Sequence, residues 1–287
     1  MTQVNAALVK TLRELTGVGM MDCKKALSEN NGDVELAKEW LRKQGLSKAS
    51  KKSDRVTAEG VVAVSTSGND LAVVVLNSET DFVAKNEKFV ALAETIAAEA
   101  VKTKVDVESL KSESVQSAIS ENIATLGENI NLSKVAYLSC GDNGLVQFYV
   151  HNALSSNCGK IISAVAIESD KKVDDQEKLA TVAKQICMHI AAARPESLDV
   201  ASLDQNKVEK EKNILSEEAR ASGKPEAVIA KMIEGRMSKF YGEVVLLEQA
   251  FVVNPDQKVS QVISELGKTL GCELRVSSFL RLAVGEA

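Results

Sequence analysis

Two valine-rich runs separated by a turn cluster constrain this chain most. Val61, Val62 and Val64 lead into Ser67-Gly68-Asn69-Asp70, and the apolar residues 71–76 follow. β-Branched side chains lose rotamer freedom in a helix and pack well on a pleated surface, while Gly and Asn tolerate the backbone of tight turns. The pattern predicts a β-hairpin. After a short loop the chain becomes alanine-rich, which predicts a helix over residues 83–102. Residues 132–138, 145–150 and 161–167 predict further strands, with Gly141-Asp142-Asn143-Gly144 between the first two. A helix is expected over 174–193, ahead of Pro195. In the tail, Val259, Val262, Ile263 and Leu266 mark a helix and 273–284 a final strand.

Residues 1–45 read as three short helices. Val4, Leu8, Leu12 and Leu15 share one helical face, and Gly17 supplies a stop. The second helix carries Cys23, Ala26 and Leu27 and ends at Asn30-Asn31-Gly32. Asp33 caps a third, in which Leu36, Ala37, Trp40 and Leu41 face inward before Gly45. Helices this short enclose a minimal core, comparable to ubiquitin-associated-type modules, and a unit that buries so little alone is expected to bind something. Residues 46–57 are poor in large apolar side chains and carry Lys48, Lys51, Lys52 and Arg55, so they read as a solvated, flexible linker.

Residues 203–240 differ from both. Segment 206–220 is highly charged, with Val208, Ile214 and Leu215 among its few apolar positions. Ser222-Gly223-Lys224-Pro225 interrupts it, and Ile229, Met232, Ile233, Arg236 and Phe240 continue a helical stripe. This predicts an antiparallel helical hairpin, too polar for a core, that projects from the body. Helices and strands segregate along the chain, which places the body in the α+β class.

Composition removes several kinds of function. A net charge of −5 repels nucleic acid, and aromatics at 3% leave few rings for base stacking. No run approaches the roughly 20 apolar residues that span a bilayer, and the start carries no basic region followed by an apolar run. Cys23, Cys140, Cys158, Cys187 and Cys272 are scattered, with no Cys-x-x-Cys pair and only His151 and His189 beside them. Reduced, packed thiols and a cytoplasmic location are expected, with no zinc site. Gly267-Lys268-Thr269 lacks the glycine five residues earlier that a phosphate-binding loop needs; Val262 stands there. Neither a dinucleotide fingerprint nor a nucleophile elbow is present, and two isolated histidines offer little for acid–base work. No catalytic residues, metal or cofactor are expected.

One segment stands apart: Leu76-Asn77-Ser78-Glu79-Thr80-Asp81-Phe82-Val83-Ala84-Lys85-Asn86 leaves a buried-looking strand and opens a helix. Spacing alone has Thr80 or Asp81 capping that helix and Phe82 packing inward as a staple. The residues from Asn77 to Lys85 resemble a signature of the bacterial elongation factor Ts family, the guanine-nucleotide exchange factors of elongation factor Tu. The family's second signature is matched by Leu12-Arg13-Glu14-Leu15-Thr16-Gly17-Val18-Gly19-Met20-Met21-Asp22-Cys23-Lys24-Lys25-Ala26-Leu27. The resemblance extends over essentially the whole chain, including Gly223-Lys224-Pro225 and Glu234-Gly235-Arg236-Met237; Val75 departs from it, standing where many relatives carry an acidic residue.

The resemblance implies a fold and a mechanism without chemistry of the chain's own. The fold implied is an N-terminal three-helix bundle, an α+β core of two subdomains and a protruding helical hairpin. Its division would be 1–55 for the partner-binding bundle with its linker, 56–140 for the core subdomain carrying an exchange tip, 141–202 and 241–287 for the second subdomain, and 203–240 for the hairpin. Thr80, Asp81, Phe82 and Val83 would enter between two helices of elongation factor Tu and dislocate its Mg²⁺. His189, in Cys187-Met188-His189-Ile190-Ala191, is similar to a family run that also touches the partner, although its spacing with Val182, Ile186 and Ala193 equally suits a packed histidine. Arg13, Met20 and Met21 would supply further contacts, though either methionine equally suits the bundle's core. The partner would be bound both with GDP and free of nucleotide, with no direct nucleic acid or membrane contact, and homodimerisation through the hairpin is left open.

Overall fold

The computed structural model describes residues 4–50, 52–221 and 225–286, and within them the side chains of 46–50 lie outside the description. The expectations placed on Lys51, on the Lys48 side chain and on Ser222-Gly223-Lys224 therefore fall outside the described residues.

The N-terminal segment forms three helices, α1 (Ala6–Thr16), α2 (Met20–Glu29) and α3 (Val34–Ser50). Asn5 caps α1, its Oδ1 accepting the Leu8 N–H at 2.8 Å, and Asp33 caps α3 in the same way through Leu36 N–H at 2.9 Å. Leu12, Cys23, Ala26, Leu27, Ala37 and Leu41 fill the shared interior. Leu15 and Leu36, expected inward, are exposed. Three short helices share only one small interior, so residues on the margins of each apolar stripe are left outside it. Gly45 does not end α3, which runs on to Ser50 and so takes up the first part of the expected linker. A Cβ on Gly45 would lie 3.3 Å from the Ala124 Cβ, so this glycine marks a close helix crossing and not a stop.

The body contains β1 (Glu59–Ser67), β2 (Asp70–Ser78), α4 (Asp81–Ala84), α5 (Glu87–Thr103), α6 (Val107–Leu110), α7 (Glu113–Leu126), β3 (Ile130–Ser139), β4 (Leu145–His151), β5 (Cys158–Gly159), β6 (Ile161–Ser169) and α8 (Gln176–Ala193). After the hairpin of α9 (Gln205–Ala221) and α10 (Glu226–Val244) come β7 (Ala250–Phe251), β8 (Asn254–Lys258), α11 (Val259–Leu270) and β9 (Leu274–Ala283). One sheet has the order β3-β2-β1-β5, a second β4-β6-β9, and β7 pairs with β8.

Strand alternation explains how the layers stack. In β1 and β2, Val61, Ala63, Ala72, Val74 and Leu76 face α5 and α7. Their alternates Val62, Val64, Leu71, Val73 and Val75 face the other sheet, meeting Val146, Ile162, Ala164, Ala166 and Leu280. Val165 and Ile167 of β6 point the other way, onto α8 and α11. The result is a helix–sheet–sheet–helix arrangement in which β2 is apolar on both faces. That is why it reads as an unbroken hydrophobic run. The α+β class follows as expected.

The turn at Gly141-Asp142-Asn143-Gly144 lies between two strands as expected, but those strands belong to different sheets: β3 pairs with β2, β4 pairs with β6, and the turn carries the chain from one sheet to the facing one. One local expectation changes. The helix expected over 83–102 is broken in two. Asn86 leaves helical geometry and its side chain caps α5, accepting the Lys88 N–H at 2.9 Å. A short amide side chain competes with the backbone for such bonds, and here it wins.

The hairpin packs mainly on itself. Among its described residues the buried side chains are Leu215, Ala219, Ile229 and Met237, and none belongs to the clusters that fill the bundle and the body. An exposed Arg236–Glu218 pair at 2.6 Å joins the two helices.

Candidate partner-binding site

β2 ends at Ser78, and within three residues the chain has entered the single turn of α4. This places Thr80, Asp81, Phe82 and Val83 at a corner between β2 and α5. Val83 is 9% exposed and belongs to the apolar cluster under α5. It anchors the corner from inside, so it is not a free contact surface as expected for the tip. Thr80 caps α4, its Oγ1 accepting the Val83 N–H at 3.4 Å. Phe82 is 83% exposed. The cap half of the spacing argument therefore holds, but the staple half fails. With Val83 already filling the inward direction of a one-turn helix, the neighbouring Phe82 is directed to solvent.

Asp81 stands beside Phe82. The Lys85 ammonium, 2.7 Å from Asp81 Oδ2, holds this carboxyl below its usual range and raises the Lys85 pKa in return. The corner thus offers an apolar ring next to a firmly ionised carboxylate.

Beneath it lies a polar scaffold. The Glu128 carboxylate, on the turn between α7 and β3, accepts the N–H groups of Glu79 (3.1 Å) and Thr80 (2.9 Å) and the Thr80 hydroxyl (2.5 Å). The Glu79 carboxylate accepts the Asn129 N–H at 2.6 Å and lies 3.4 Å from Arg55 Nη1. Sequence reading missed Glu128 and Asn129. They are about 50 positions from the corner and carry no local pattern.

His189 is elsewhere, on α8, and is 1% exposed. It is not available as a direct surface contact. Its Nδ1 accepts the Val252 N–H at 3.2 Å, which leaves Nε2 to carry the proton and donate to Gln249 Oε1 at 2.9 Å. The Gln249 amide donates in turn to Glu243 O at 2.8 Å. Through this network His189 holds the β7–β8 turn, whose Val252 and Val253 are both more than half exposed.

Burial lowers the His189 pKa below its ordinary value of 6.5, a shift opposed in part by the Gln249 bond. The folded chain therefore binds fewer protons here than the unfolded chain at mildly acid pH. The contribution is whole above about pH 6.5 and is lost as pH falls from there through the folded value. Denaturant unfolding between pH 5 and 7.5 is expected to show this loss in the wild type, and a weaker pH dependence in His189→Gln.

Arg13, Met20 and Met21 are exposed on the bundle, Met21 at 78%. The bundle meets α7 across a cleft of about 360 Å³ lined by Leu15, Val18, Arg42, Glu121 and Thr125. Exposed apolar side chains thus include Phe82 at the corner, Met20 and Met21 on the bundle, and Val252 and Val253 on the β7–β8 turn.

Among the described residues, no group of three or more His, Cys, Asp or Glu side chains is placed to hold a metal ion. No helix there is long and apolar enough to cross a membrane. Cys23, Cys158 and Cys187 are buried, and burial pushes the Cys158 thiol up to about 12.

The family pattern described as Elongation factor TS matches residues 79–286, beginning at the corner itself. Full-length relatives bear the same description. The protein named "Elongation factor Ts" from Rhodospirillum centenum is 48% identical over 293 residues, covering 100% of this chain and 94% of the relative. Those from Maricaulis maris and Caulobacter vibrioides are each 48% identical, over 295 and 296 residues, again across 100% of this chain and 93% and 94% of theirs. On these matches and this layout, the chain belongs to the elongation factor Ts family.

Proposed function

We propose that this chain is the guanine-nucleotide exchange factor of elongation factor Tu in translation elongation, acting by binding alone. It binds elongation factor Tu·GDP, promotes GDP release and leaves the partner free to take GTP. The exposed Phe82 carries this reading: a phenylalanine ring 83% open to water, set on a corner whose base is buried and hydrogen-bonded, is built to enter another molecule.

Phe82 acts as an apolar wedge between two helices of the partner's nucleotide-binding domain. Burying it yields roughly 1.5–3 kcal/mol, which offsets part of the cost of separating the helices. Asp81, held ionised by Lys85, brings negative charge toward the groups that order water around the partner's Mg²⁺. That ion bridges the phosphates, so disturbing it weakens nucleotide binding. Thr80 and Val83 fix the wedge from below. Arg13, Met20 and Met21 grip a second surface of the partner, and His189 contributes through the Val252–Val253 turn that it holds.

Exchange follows from linkage. Whatever factor this chain takes from nucleotide affinity, nucleotide takes from the affinity of this chain, so the ternary complex is transient. Elongation factor Tu loaded with a fluorescent GDP analogue and chased with unlabelled nucleotide tests the proposal. Release is expected to accelerate with added chain, and an unchanged rate rejects it.

The hairpin supports a second contact. α9 and α10 pack on each other and expose Ile214 and Val228, both partly apolar openings on an otherwise charged surface. We assign it to a homodimer or partner contact. Deleting residues 206–239 is expected to halve the mass in solution if the native chain is a dimer; a native monomer rules the dimer out.

A further inference from the structure

The exchange tip is too short to hold itself. α4 is a single turn, and forming the first turn of a helix fixes several residues for one hydrogen bond, an unfavourable step in isolation. Glu79 and Thr80, just ahead of it, lie beyond the last paired residue of β2. We infer that Glu128 is the positioning residue of the tip: its one carboxylate fixes Glu79 N–H, Thr80 N–H and the Thr80 hydroxyl, and so sets the direction in which Phe82 and Asp81 leave the body.

The chemistry suits that role. A carboxylate accepting backbone N–H groups makes charge-assisted bonds, stronger and more directional than neutral ones. Both oxygens are used, Oε2 for the two amides and Oε1 for the hydroxyl. The Thr80 oxygen that donates to Glu128 also accepts the Val83 N–H, so the same contact reaches the cap of α4. The clasp is reciprocal, because Glu79 accepts the N–H of Asn129, the residue after Glu128.

That segment also holds the end of the linker. The buried Asn129 amide donates to Ser53 O at 3.2 Å and Arg55 O at 2.9 Å, and Lys52 Nζ donates to Gly127 O at 2.5 Å. The C-terminal end of the linker is therefore tied down where a free tether was expected. Three consecutive residues, 127–129, carry both the tip and the path to the bundle. Glu128 bonds no side-chain atom of Asp81 or Phe82, so it acts on the exchange step through Glu79 and Thr80.

This inference rests on the exchange reading above, and the test separates the two. Release of fluorescent GDP from elongation factor Tu is measured with full-length wild type, E128A, E128Q, F82A and the F82A/E128A pair, each over a range of concentration. E128A is expected to lower the saturating release rate about tenfold while shifting the half-saturating concentration less than about twofold, with E128Q, which keeps one acceptor oxygen, in between. On F82A, adding E128A is expected to cost less than about twofold, because the ring it positions is gone. A wild-type rate for E128A, or a loss undiminished on F82A, overturns the inference, and E128Q answers the same two questions if E128A does not fold. Should the wild type itself fail to accelerate release, the exchange reading falls. Glu128 is then decided by amide hydrogen exchange over residues 79–84 in the free protein. E128A should quicken it about tenfold or more, and unchanged protection overturns the assignment.

Discussion

Phe82→Ala is expected to lower kcat/KM for nucleotide release about 10- to 150-fold and to leave the stability of the free protein unchanged. The two halves of this expectation come from one observation. With 83% of Phe82 open to solvent, the folded chain gains little from its ring and loses little when it is removed. Docked, the ring becomes buried, and the roughly 1.5–3 kcal/mol of its transfer converts to that range of rate, each 1.36 kcal/mol being about tenfold. A matched fall in thermal midpoint would return Phe82 to the core and remove the wedge. Phe82→Leu should retain most of the rate, since it keeps apolar volume.

Gly60→Ala should be among the most damaging single changes to the fold, by about 2–5 kcal/mol in denaturant unfolding. Gly60 lies in β1 opposite Asn77 of β2, with φ at +146°, a region that L side chains rarely adopt. A Cβ there would stand 2.2 Å from Leu76 O and 2.7 Å from Asn77 Cα, both backbone atoms that cannot swing aside. The strain falls on the last residues of β2, three positions before Thr80, so the exchange rate should fall together with stability. Gly68→Ala gives the contrast. Its φ is +59° but nothing lies within 4 Å, so only backbone strain of about 1–2 kcal/mol is expected and the tip should keep its rate. Equal losses for the two would show that the close approach at Gly60 contributes nothing.

The parts of the fold legible in the sequence are those governed by local pattern. The β1–β2 hairpin followed from β-branched runs around Ser67-Gly68-Asn69-Asp70, and the register pairs Ser67 with Asp70 across that turn. The helix start at Asp33 is legible because a short polar side chain bonds an N–H three residues on; Asn5 and Asn86 make the same kind of bond but are not expected as caps, and Asn86 divides a helix expected to be continuous. Gly45 misled because one signal has two causes. Glycine ends helices, and it also lets two helices approach closely; only the presence of Ala124 across the gap distinguishes them.

At the site the division is sharper. The sequence by itself determined that residues 77–85 form a strand-to-helix corner capped by Thr80 or Asp81, a choice the structure gives to Thr80, and the family resemblance singled out Phe82. It could not say which way Phe82 points, because a one-turn helix has no period long enough to define an inward face. Tertiary structure decided that by placing Val83 in the core and Phe82 in water. It also buried His189 beneath the turn that exposes Val252 and Val253, and it brought Glu128 beneath Thr80 across 48 positions of chain. Local bonds and side-chain periodicity are written into neighbouring residues. Burial, and contacts between distant segments, exist only once the chain has closed on itself.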